Sequence, residues 1–501
     1  MIDRIENWVV LMFENRSFDN LLGHLPHIPA EDGIRDRDIV LPYPKGTVRV
    51  APTSDFTAPL PDPGEGYGNV NVQMFGKNIP ESNGGKSPYP LFPDPMEAPY
   101  NVPTDASKPG MAGFAEDYYW NFIWEKEREP TDEEMQQIGA VFTPETAPVI
   151  NRLAEEYAVF THWHCEAPTC TFPNRSFYHC ATSLGKIDND NVVSYAWNQE
   201  APNLFDLLTK KGTSWKTYFA KGDVVPDCAI NLAGLRHIKM WHEHSAHHEE
   251  FFSAAKAGTL PTYSWVEPQM FLGELADYHP PTDIRAAEEF LAKVYNAVRQ
   301  SPQWDKTALI VLFDEHGGCY DHVPPPAAPI PDDIPGQQDF KFDRFGIRVP
   351  AIVISPYTKR GTVITDLFHT TSVLRTLRDQ LDLGPALTRR DEAAPSLAVA
   401  FNRSEPRQGL DHIEAPPYEP VELTAAEKQA AFGDAPDAGL LRHKKKEAHK
   451  EFVSQLGEAT MRNVARLTGE DPADIPTTAS EARKWLIARV PKILGEHFKA
   501  K

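Results

Sequence analysis

The chain has 501 residues, of which 41% are hydrophobic and 24% are charged, as in ordinary soluble globular proteins. Asp and Glu outnumber Lys and Arg by 71 to 50, and the formal net charge of −21 disfavours nucleic acids and anionic membranes as bulk partners. A small anionic substrate is still compatible with this charge, because a metal ion can reverse the field inside a site.

The N-terminal segment does not have the form of a signal peptide, because its apolar run at 8–13 is short and follows acidic residues. No run of about 18 apolar residues occurs, so no transmembrane segment is predicted. The five cysteines contain no CxxC pair, which disfavours a disulfide scaffold or a structural zinc site. We therefore expect a cytoplasmic protein, with secretion by a signal-independent route left open. The sequence does not define the oligomeric state.

Short β-branched apolar runs predict the strands of a buried sheet. They are WVVLMF at 8–13, TALIVLF at 307–313 and VPAIVIS at 349–355. Each run is nearly continuous rather than alternating, as in strands that are buried on both faces of a parallel sheet. Helical apolar patterns cover 288–300 and 369–381. This alternation predicts an α/β fold with a mostly parallel sheet flanked by helices.

Proline-rich stretches interrupt the pattern of strands and helices. Residues 25–110 carry many of the 46 prolines and 324–335 are also proline-rich, which predicts long irregular loops that form lids or binding walls. The aromatic run YYWNFIW at 118–124 can line an apolar entrance, or form a buried core helix instead. Charged helical patterns begin near residue 402, so we divide the chain into a main domain at 1–401 and a helical C-terminal extension at 402–501.

Two of the predicted strands end in pairs of oxygen-donor side chains. Glu14 and Asn15 follow the first strand, and Asp314 and Glu315 follow the second. Because ligands of open α/β sheets bind at the carboxyl ends of the strands, these pairs can converge. Carboxylate and amide oxygens suit a divalent cation. The alternative for either pair alone is that it caps the following turn or pairs with an arginine.

The stretch TFPNR at 171–175 predicts a helix that begins with a hydroxyl group. Proline favours the first helical position, and Thr171 then lies beside free N–H groups that attract an anion. A hydroxyl near a metal can ionise and act as a nucleophile, and Arg175, one turn later, can hold phosphate or stabilise the nucleophile. The alternative is an ordinary threonine N-cap.

The motifs occur in an order that resembles the phosphoesterase family, which includes bacterial phospholipases C, plant non-specific phospholipases C and an acid phosphatase branch. The motifs that carry the resemblance are TFPNR, ENRSFDN at 14–20, DEHGGCYDHVPPP at 314–326, DRFGIRVPAIVISPY at 343–357 and FHTTSVLRTL at 368–377. The resemblance covers about residues 5–385 and implies an alkaline-phosphatase-like fold, since the family belongs to the alkaline phosphatase superfamily. It makes residues 1–401 a phosphoesterase catalytic domain.

The resemblance implies a metal-dependent phosphoric ester hydrolase, most similar to phospholipase C, that acts through a phospho-threonine intermediate on Thr171. The implied cofactor is a divalent cation of unknown identity, held by Glu14, Asn15, Thr171, Asp314 and Glu315. Arg175, His279 and His369 are implied as catalytic residues, and Asn15, His316 and His322 as substrate-binding residues. For His322, a satisfied core histidine is the alternative.

The resemblance implies a phosphoester substrate, which can be a phospholipid. An acid phosphatase on soluble phosphomonoesters is the alternative within the same chemistry, and an inactive phosphate- or lipid-binding protein is the alternative of another class. One departure concerns DPGEG at 62–66, where family members often carry DPGH, so that Glu65 replaces a histidine. A carboxylate there repels phosphate unless it is protonated, bound to a metal or turned away.

Overall fold

The structure is a computed structural model. It describes residues 2–89, 94–105, 108–189, 201–221, 226, 228, 243–270, 275–418 and 485. The strands in this part of the chain are β1 Asn7–Phe13, β2 Val40–Tyr43, β3 Gly46–Arg49, β4 Ala51–Pro52, β5 Ala140–Val141, β6 Ala158–Phe160, β7 Trp163–His164, β8 Trp215–Phe219, β9 Ser245–His247, β10 Tyr263–Val266, β11 Thr307–Phe313, β12 Ala351–Ile354, β13 Thr362–Ile364 and β14 Phe368–His369.

The α-helices of the described ranges flank the strands and fill the connections between them. Their bounds are Phe18–Leu22, Tyr67–Phe75, Phe114–Lys126, Asp132–Gln136, Pro148–Glu156, Thr171–Cys180, Leu204–Lys211, His248–Ala257, Ile284–Arg299, Thr371–Gln380 and Arg389–Ala393. None of these helices is both long and apolar enough to cross a lipid bilayer.

The central sheet has eight strands in the order β13-β6-β12-β11-β1-β10-β8-β9. Strand β1 is parallel to β10 and β11, β8 is parallel to β9 and β10, and β6 is parallel to β13. Strand β12 is antiparallel to β11 and β6. The predicted α/β fold with a mostly parallel sheet is confirmed. The direction of β12 could not be predicted, because continuous burial does not depend on strand direction.

The two central strands bring the predicted oxygen donors to one edge of the sheet. Strands β1 and β11 are buried at every residue, as their continuous apolar sequences require. Phe13 pairs with Phe313 in the parallel register, and the backbone N–H of Asp314 donates to the Phe13 carbonyl at 3.1 Å. Glu14 and Asp314 therefore follow the sheet side by side.

The two predicted helices are present with shifted ends. The helix predicted at 288–300 begins at Ile284, because Asp283 caps it by accepting a hydrogen bond from the Arg285 N–H at 3.1 Å. The helix predicted at 369–381 begins at Thr371, because His369 belongs to β14, which pairs with β7. Their apolar faces pack against the core of the sheet; the buried residues include Leu291, Val294, Val298, Val373, Leu374 and Leu377.

The prediction that 25–110 is irregular is wrong in part. Strands β2 and β3 form an antiparallel hairpin, and residues 67–75 form a nine-residue helix whose side chains are buried up to Met74. Gly76 ends this helix in the left-handed region at φ +90, which glycine adopts without strain. The core-helix alternative for YYWNFIW is confirmed, because Tyr118, Tyr119 and Phe122 lie on helix Phe114–Lys126 and are buried in a hydrophobic cluster.

Residues 402–418, at the start of the predicted extension, pack against a helix of the main domain. Residues 402–418 contain no helix, and they pack beside helix Ile284–Arg299. The Tyr295 hydroxyl donates to the Leu410 carbonyl at 2.7 Å, and the Asn296 amide donates to the Ile413 carbonyl at 2.9 Å. The boundary predicted at residue 402 therefore does not mark a break in packing. The rest of the predicted helical extension, apart from Trp485, lies outside the described residues.

Candidate active site

A buried arginine joins the two strand ends. Arg175 donates from Nε to Asp314 at 2.8 Å and from an Nη to Glu14 at 3.3 Å. Both carboxylates and the guanidinium are almost completely inaccessible to water. Burial raises the pKa of Asp314 to about 6, although Arg175 and the backbone N–H groups of Asn15 and Glu315 lower it. The two strand-end pairs therefore converge, and one member of each pair, Glu14 and Asp314, also pairs with an arginine, as the alternative expects.

The backbone of Asn15 explains the first glycine of the pair in DEHGG. Asn15 is in the left-handed region at φ 56, which asparagine tolerates better than most residues. A side chain on Gly317 would meet the Asn15 carbonyl oxygen at 2.3 Å, and Gly317 itself has φ +60. Glycine is needed at 317 for both reasons. The backbones of the two motifs that supply the oxygen donors are therefore packed directly against each other.

The side-chain amide of Asn15 is oriented by two neighbours. Its Nδ2 donates to the Glu65 carboxylate and lies 2.9 Å from Nε2 of His279. The Nδ1 atom of His279 lies 2.6 Å from the Pro280 carbonyl and must donate to it, which leaves Nε2 unprotonated to accept from Asn15. Burial lowers the pKa of His279 to about 4, so this histidine is neutral near pH 7. The amide oxygen Oδ1 of Asn15 is buried and has no hydrogen-bond partner.

Glu315 lies beside a second carboxyl group, that of Glu65. The two side chains are within hydrogen-bonding contact, and burial followed by their mutual repulsion raises the pKa of Glu65 well above its ordinary value. Burial followed by the charge of Asp314 does the same for Glu315. The Gly317 N–H donates to Oε2 of Glu315 at 2.6 Å, whereas Oε1 of Glu315 is buried without a partner.

Thr171 is the first residue of helix Thr171–Cys180, as predicted, but Pro173 is its third residue rather than its first. Cys170 is the N-cap, so the threonine N-cap alternative is wrong. The Thr171 hydroxyl is buried and has no hydrogen-bond partner. The next N–H, that of Phe172, donates to Asn189 at 2.9 Å, and the Asn189 amide reaches Glu65 at 3.4 Å. Thr171 is thus linked to the carboxylate cluster through Asn189 and through Arg175.

His316 contacts the cluster from the other side. Gln73 donates both amide hydrogens, to the Gly64 carbonyl at 2.6 Å and to Asp117 at 2.8 Å, so its oxygen must accept from Nε2 of His316 at 2.7 Å. In the neutral imidazole Nδ1 then carries no proton, and this atom lies 3.4 Å from a Glu315 oxygen. Burial lowers the pKa of His316 to about 3, which makes it a neutral member of the site.

His369 is held by a carboxylate that sequence reasoning missed. Glu166 accepts from Nδ1 of His369 at 2.8 Å, from the Thr371 N–H at 2.5 Å and from Arg390 at 2.8 Å. The Glu166 and Ala167 N–H groups donate to Asn174 at 2.9 and 3.0 Å, which ties this unit to the helix that begins at Thr171. Because Nδ1 carries the proton that Glu166 accepts, Nε2 is the His369 atom that can exchange a proton.

The Glu166 carboxylate should make the protein sensitive to acid. Burial raises its pKa, but the charges and hydrogen bonds of His369, Arg390 and Thr371 outweigh this and hold it at about 2. The folded-state pKa of Glu166 is below the ordinary value of 4.5. Its contribution to the free energy of unfolding is therefore present above pH 4.5 and lost as the pH falls towards 2. That contribution is on the order of 3 kcal/mol.

The measurement is urea unfolding of the wild type and of Glu166→Gln between pH 6 and pH 2.5. The difference in unfolding free energy between the two proteins should shrink steadily as the pH falls. A surface control, Glu289→Gln, should stay within about 0.5 kcal/mol of the wild type throughout. A wild-type advantage that is constant down to pH 2.5 would mean that Glu166 has no lowered pKa.

His322 has other partners than the remaining predicted site residues. Its Nδ1 lies 2.6 Å from Asp19, and its Nε2 lies 2.8 Å from the Glu31 carbonyl. Burial lowers the pKa of His322, but the hydrogen bond and charge of Asp19 outweigh burial and raise it overall. Both ring nitrogens are occupied, as the core-histidine alternative expects.

His322 also belongs to a buried group that could hold a metal ion. Ligand atoms of Asp19, Asp321 and His322 all lie within 4.8 Å of one another. Arg348 already donates to Asp19 at 3.0 Å and to Asp321 at 2.9 Å, so a fixed cation balances these carboxylates. A metal at this position would have to compete with the guanidinium.

The comparisons with known proteins agree with this arrangement of motifs. The model of the phosphoesterase family matches residues 5–384. The chain belongs to the phosphoesterase family. This phosphoesterase is 33% identical to non-specific phospholipase C3 of Arabidopsis thaliana, over 80% of this chain and 74% of that protein. It is 28% identical to phospholipase C A of Mycobacterium tuberculosis, over 54% of this chain and 58% of that protein.

Solved structures to which this phosphoesterase is similar include a protein in the alkaline phosphatase superfamily from Vibrio parahaemolyticus. The identity is 14%, the match covers 51% of this chain and 65% of that chain, and the TM-score is 0.31. The prediction of a hydrolase of the phosphoesterase family, similar to phospholipase C, is confirmed by the family match and by the relatives.

Three polar residues of the site were not predicted from the sequence of this phosphoesterase. Glu166 is the one acid in the otherwise uncharged stretch CEAPTCTFPN, and that isolation was a usable signal. Asn174 lies in the TFPNR motif, which does not indicate that its side chain holds the loop that carries Glu166. Asn189 lies in KIDNDN, where nothing in the local pattern marks one asparagine over the other.

Proposed function

We propose that this phosphoesterase hydrolyses phosphodiesters in a cation-dependent reaction, in the manner of a phospholipase C, with Thr171 as the nucleophile. The single observation that carries the proposal is a set of unsatisfied oxygens. Thr171 Oγ1, Asn15 Oδ1 and Glu315 Oε1 are all buried without a hydrogen-bond partner. An unpaired buried polar atom costs about 1–3 kcal/mol, so three of them in linked residues favour a bound ligand.

The residues fit a divalent cation. The donor set proposed to hold it consists of Glu14, Asn15, Thr171, Asp314 and Glu315, which offer only the carboxylate, amide and hydroxyl oxygens that hard cations prefer. When bound, the cation would stabilise negative charge on phosphate and lower the pKa of the Thr171 hydroxyl. Arg175 keeps Glu14 and Asp314 in place, and the positive end of the helix dipole at Thr171 favours an anion.

The proposed reaction has two steps. The Thr171 hydroxyl transfers its proton to Nε2 of His369, Oγ1 forms a bond to phosphorus, and the bond from phosphorus to the leaving alcohol breaks. The alcohol takes the proton from His369. Water then attacks the phospho-threonine, gives a proton to His369 and releases the phosphomonoester, and the same proton restores the Thr171 hydroxyl.

The Glu166–His369 pair supports the role of His369 as proton carrier. A buried carboxylate at Nδ1 fixes the tautomer and stabilises the imidazolium that forms when Nε2 takes a proton. His279 is neutral and spends both ring nitrogens on Pro280 and Asn15, so we assign it the orientation of the Asn15 amide. His316 has one free nitrogen and is proposed as a contact for substrate.

The relatives support a phospholipid as the substrate class. Both are named phospholipase C, and they belong to a plant and to a bacterium, so the name recurs across distant branches. A phospholipid diester carries one negative charge at its phosphate, whereas a monoester carries up to two. A site with four buried carboxyl groups repels the monoester more strongly.

The test is hydrolysis of two chromogenic substrates, p-nitrophenylphosphocholine and p-nitrophenyl phosphate, after chelation and after re-addition of Mn²⁺ or Ca²⁺. We expect turnover of the diester, its loss on chelation and its return with the cation. Turnover of the monoester alone would replace the proposal with a phosphatase. Binding of the cation without turnover of either substrate would point to a phosphate- or lipid-binding protein.

A further inference from the structure

Glu65 lies among the proposed cation ligands although it is outside both strand-end motifs. Its side chain is buried, with 4% exposure, and one carboxylate oxygen accepts from the Asn15 amide. The other oxygen lies 3.4 Å from the Asn189 amide. The carboxyl group also contacts that of Glu315. Glu65 therefore touches two of the five proposed ligands directly.

Two carboxylates in contact need a positive charge between them. Because both side chains are buried, water screens their repulsion poorly. One guanidinium, that of Arg175, faces four buried carboxyl groups in this cluster, and it donates to two of them, Glu14 and Asp314. His279 lies near the two carboxylates, but it donates from Nδ1 to Pro280 and accepts from the Asn15 amide at Nε2, and Nδ1 of His316 makes no hydrogen bond to Glu315. The positive charge must come either from a shared proton or from a bound cation.

The unpaired oxygens of the same residues indicate a cation rather than a proton. Oε1 of Glu315 and Oδ1 of Asn15 are buried without a hydrogen-bond partner, and one shared proton between Glu65 and Glu315 cannot satisfy both. A cation can bind several oxygens at once. Glu65 also fixes the Asn15 amide nitrogen, which leaves the amide oxygen as the free donor atom of that side chain.

We propose that Glu65 is a ligand of the bound cation, together with Glu315 and Asn15. The inference rests on the cation site of the proposed function and adds a carboxylate to it. With Glu65 the site has four carboxylates and one arginine, so a divalent cation still leaves it with a negative charge. A carboxylate at position 65 therefore serves cation binding rather than direct phosphate binding.

The test is titration of the full chain with Mn²⁺ and with Ca²⁺ by calorimetry, supported by the cation-induced change in melting temperature. Glu65→Gln keeps the size and a hydrogen-bonding group but removes the charge. We expect cation affinity to fall on the order of 100-fold, since even indirect neighbours of a metal contribute 10–100-fold. Glu65→Asp keeps the charge, but its side chain is one methylene shorter and places the carboxylate further from the cation. It should lower cation affinity about tenfold.

Glu156→Gln is the matched control, because Glu156 is also a buried carboxylate but pairs with Arg407 and Arg360 instead. Its cation affinity should stay within about twofold of the wild type. If the wild type and both Glu65 variants bind equally well, Glu65 and Glu315 share a proton and the inference is wrong, while the proposed function stands. If the wild type binds neither cation, the cation site itself is wrong and the inference falls with it.

Discussion

Thr171→Val should abolish hydrolysis while making the protein more stable. The substitution keeps the shape of the side chain and removes the proposed nucleophile, so kcat for the diester should fall by about 10⁴-fold or more. The hydroxyl is buried without a partner, and its removal should raise the free energy of unfolding by about 1–2 kcal/mol. The value of kcat is measured at saturating Mn²⁺, so that lost cation binding is not mistaken for a lost nucleophile. Urea unfolding is measured in chelator, where no cation binds the wild-type hydroxyl.

Thr358→Val is the control with the opposite pattern. Thr358 is also fully buried, but its hydroxyl donates to the Ala400 carbonyl at 3.0 Å. Its loss should lower the free energy of unfolding by about 1 kcal/mol and leave kcat unchanged. A Thr171→Val protein that still turns over the diester would exclude Thr171 as the nucleophile, whatever its stability.

The fold was largely predictable because the continuous apolar composition of the central strands indicates that they are buried. The run predicted at 307–313 coincides with β11, and the run at 8–13 coincides with all but the first residue of β1. Strand direction, by contrast, depends on the connections between strands. Strand β12 has the same apolar character as its neighbours and runs the other way. No pattern within a buried strand contains that information.

The site residues were predictable where a reactive side chain directly follows a strand or is the first residue of a helix. Glu14, Asp314 and Thr171 all stand at such positions, and the structure links them through Arg175 and the helix start. The sequence marks Glu65 only as a departure from the family motif, because the proline-rich stretch at 25–110 predicts a loop where the structure has the helix at 67–75. Its contact with Glu315 joins positions 250 residues apart. Such contacts arise from tertiary packing, which local patterns do not report.

The contacts of Arg175 bear on the role that the sequence predicts for it. An arginine one turn after a nucleophile can hold phosphate or stabilise the nucleophile. In the structure its guanidinium is buried between Glu14 and Asp314. Because its hydrogen bonds go to proposed cation ligands, we infer that Arg175 acts on substrate through them. The same geometry sets the largest stability effect that we expect from a single substitution in this site.

Arg175→Met should destabilise the cation-free protein by about 3–5 kcal/mol, because it leaves two buried carboxylates without their partner. Burial already raises the pKa of Asp314 to about 6 with Arg175 present, and loss of the guanidinium raises it further. A raised folded-state pKa costs stability as the pH rises through it, so the defect should be larger at pH 8 than at pH 5. Urea unfolding in chelator at both pH values measures this difference.

The double variant Arg175→Met, Asp314→Asn tests whether charge is the cause. Removing one of the two unpaired carboxylates should recover about 1–3 kcal/mol relative to Arg175→Met, although Asp314→Asn alone is expected to be destabilising. Saturating Mn²⁺ should also recover stability in Arg175→Met but not in the double variant, which has lost a proposed ligand. If neither change helps, the defect of Arg175→Met comes from lost packing of the long side chain, and the carboxylates do not depend on a neighbouring cation.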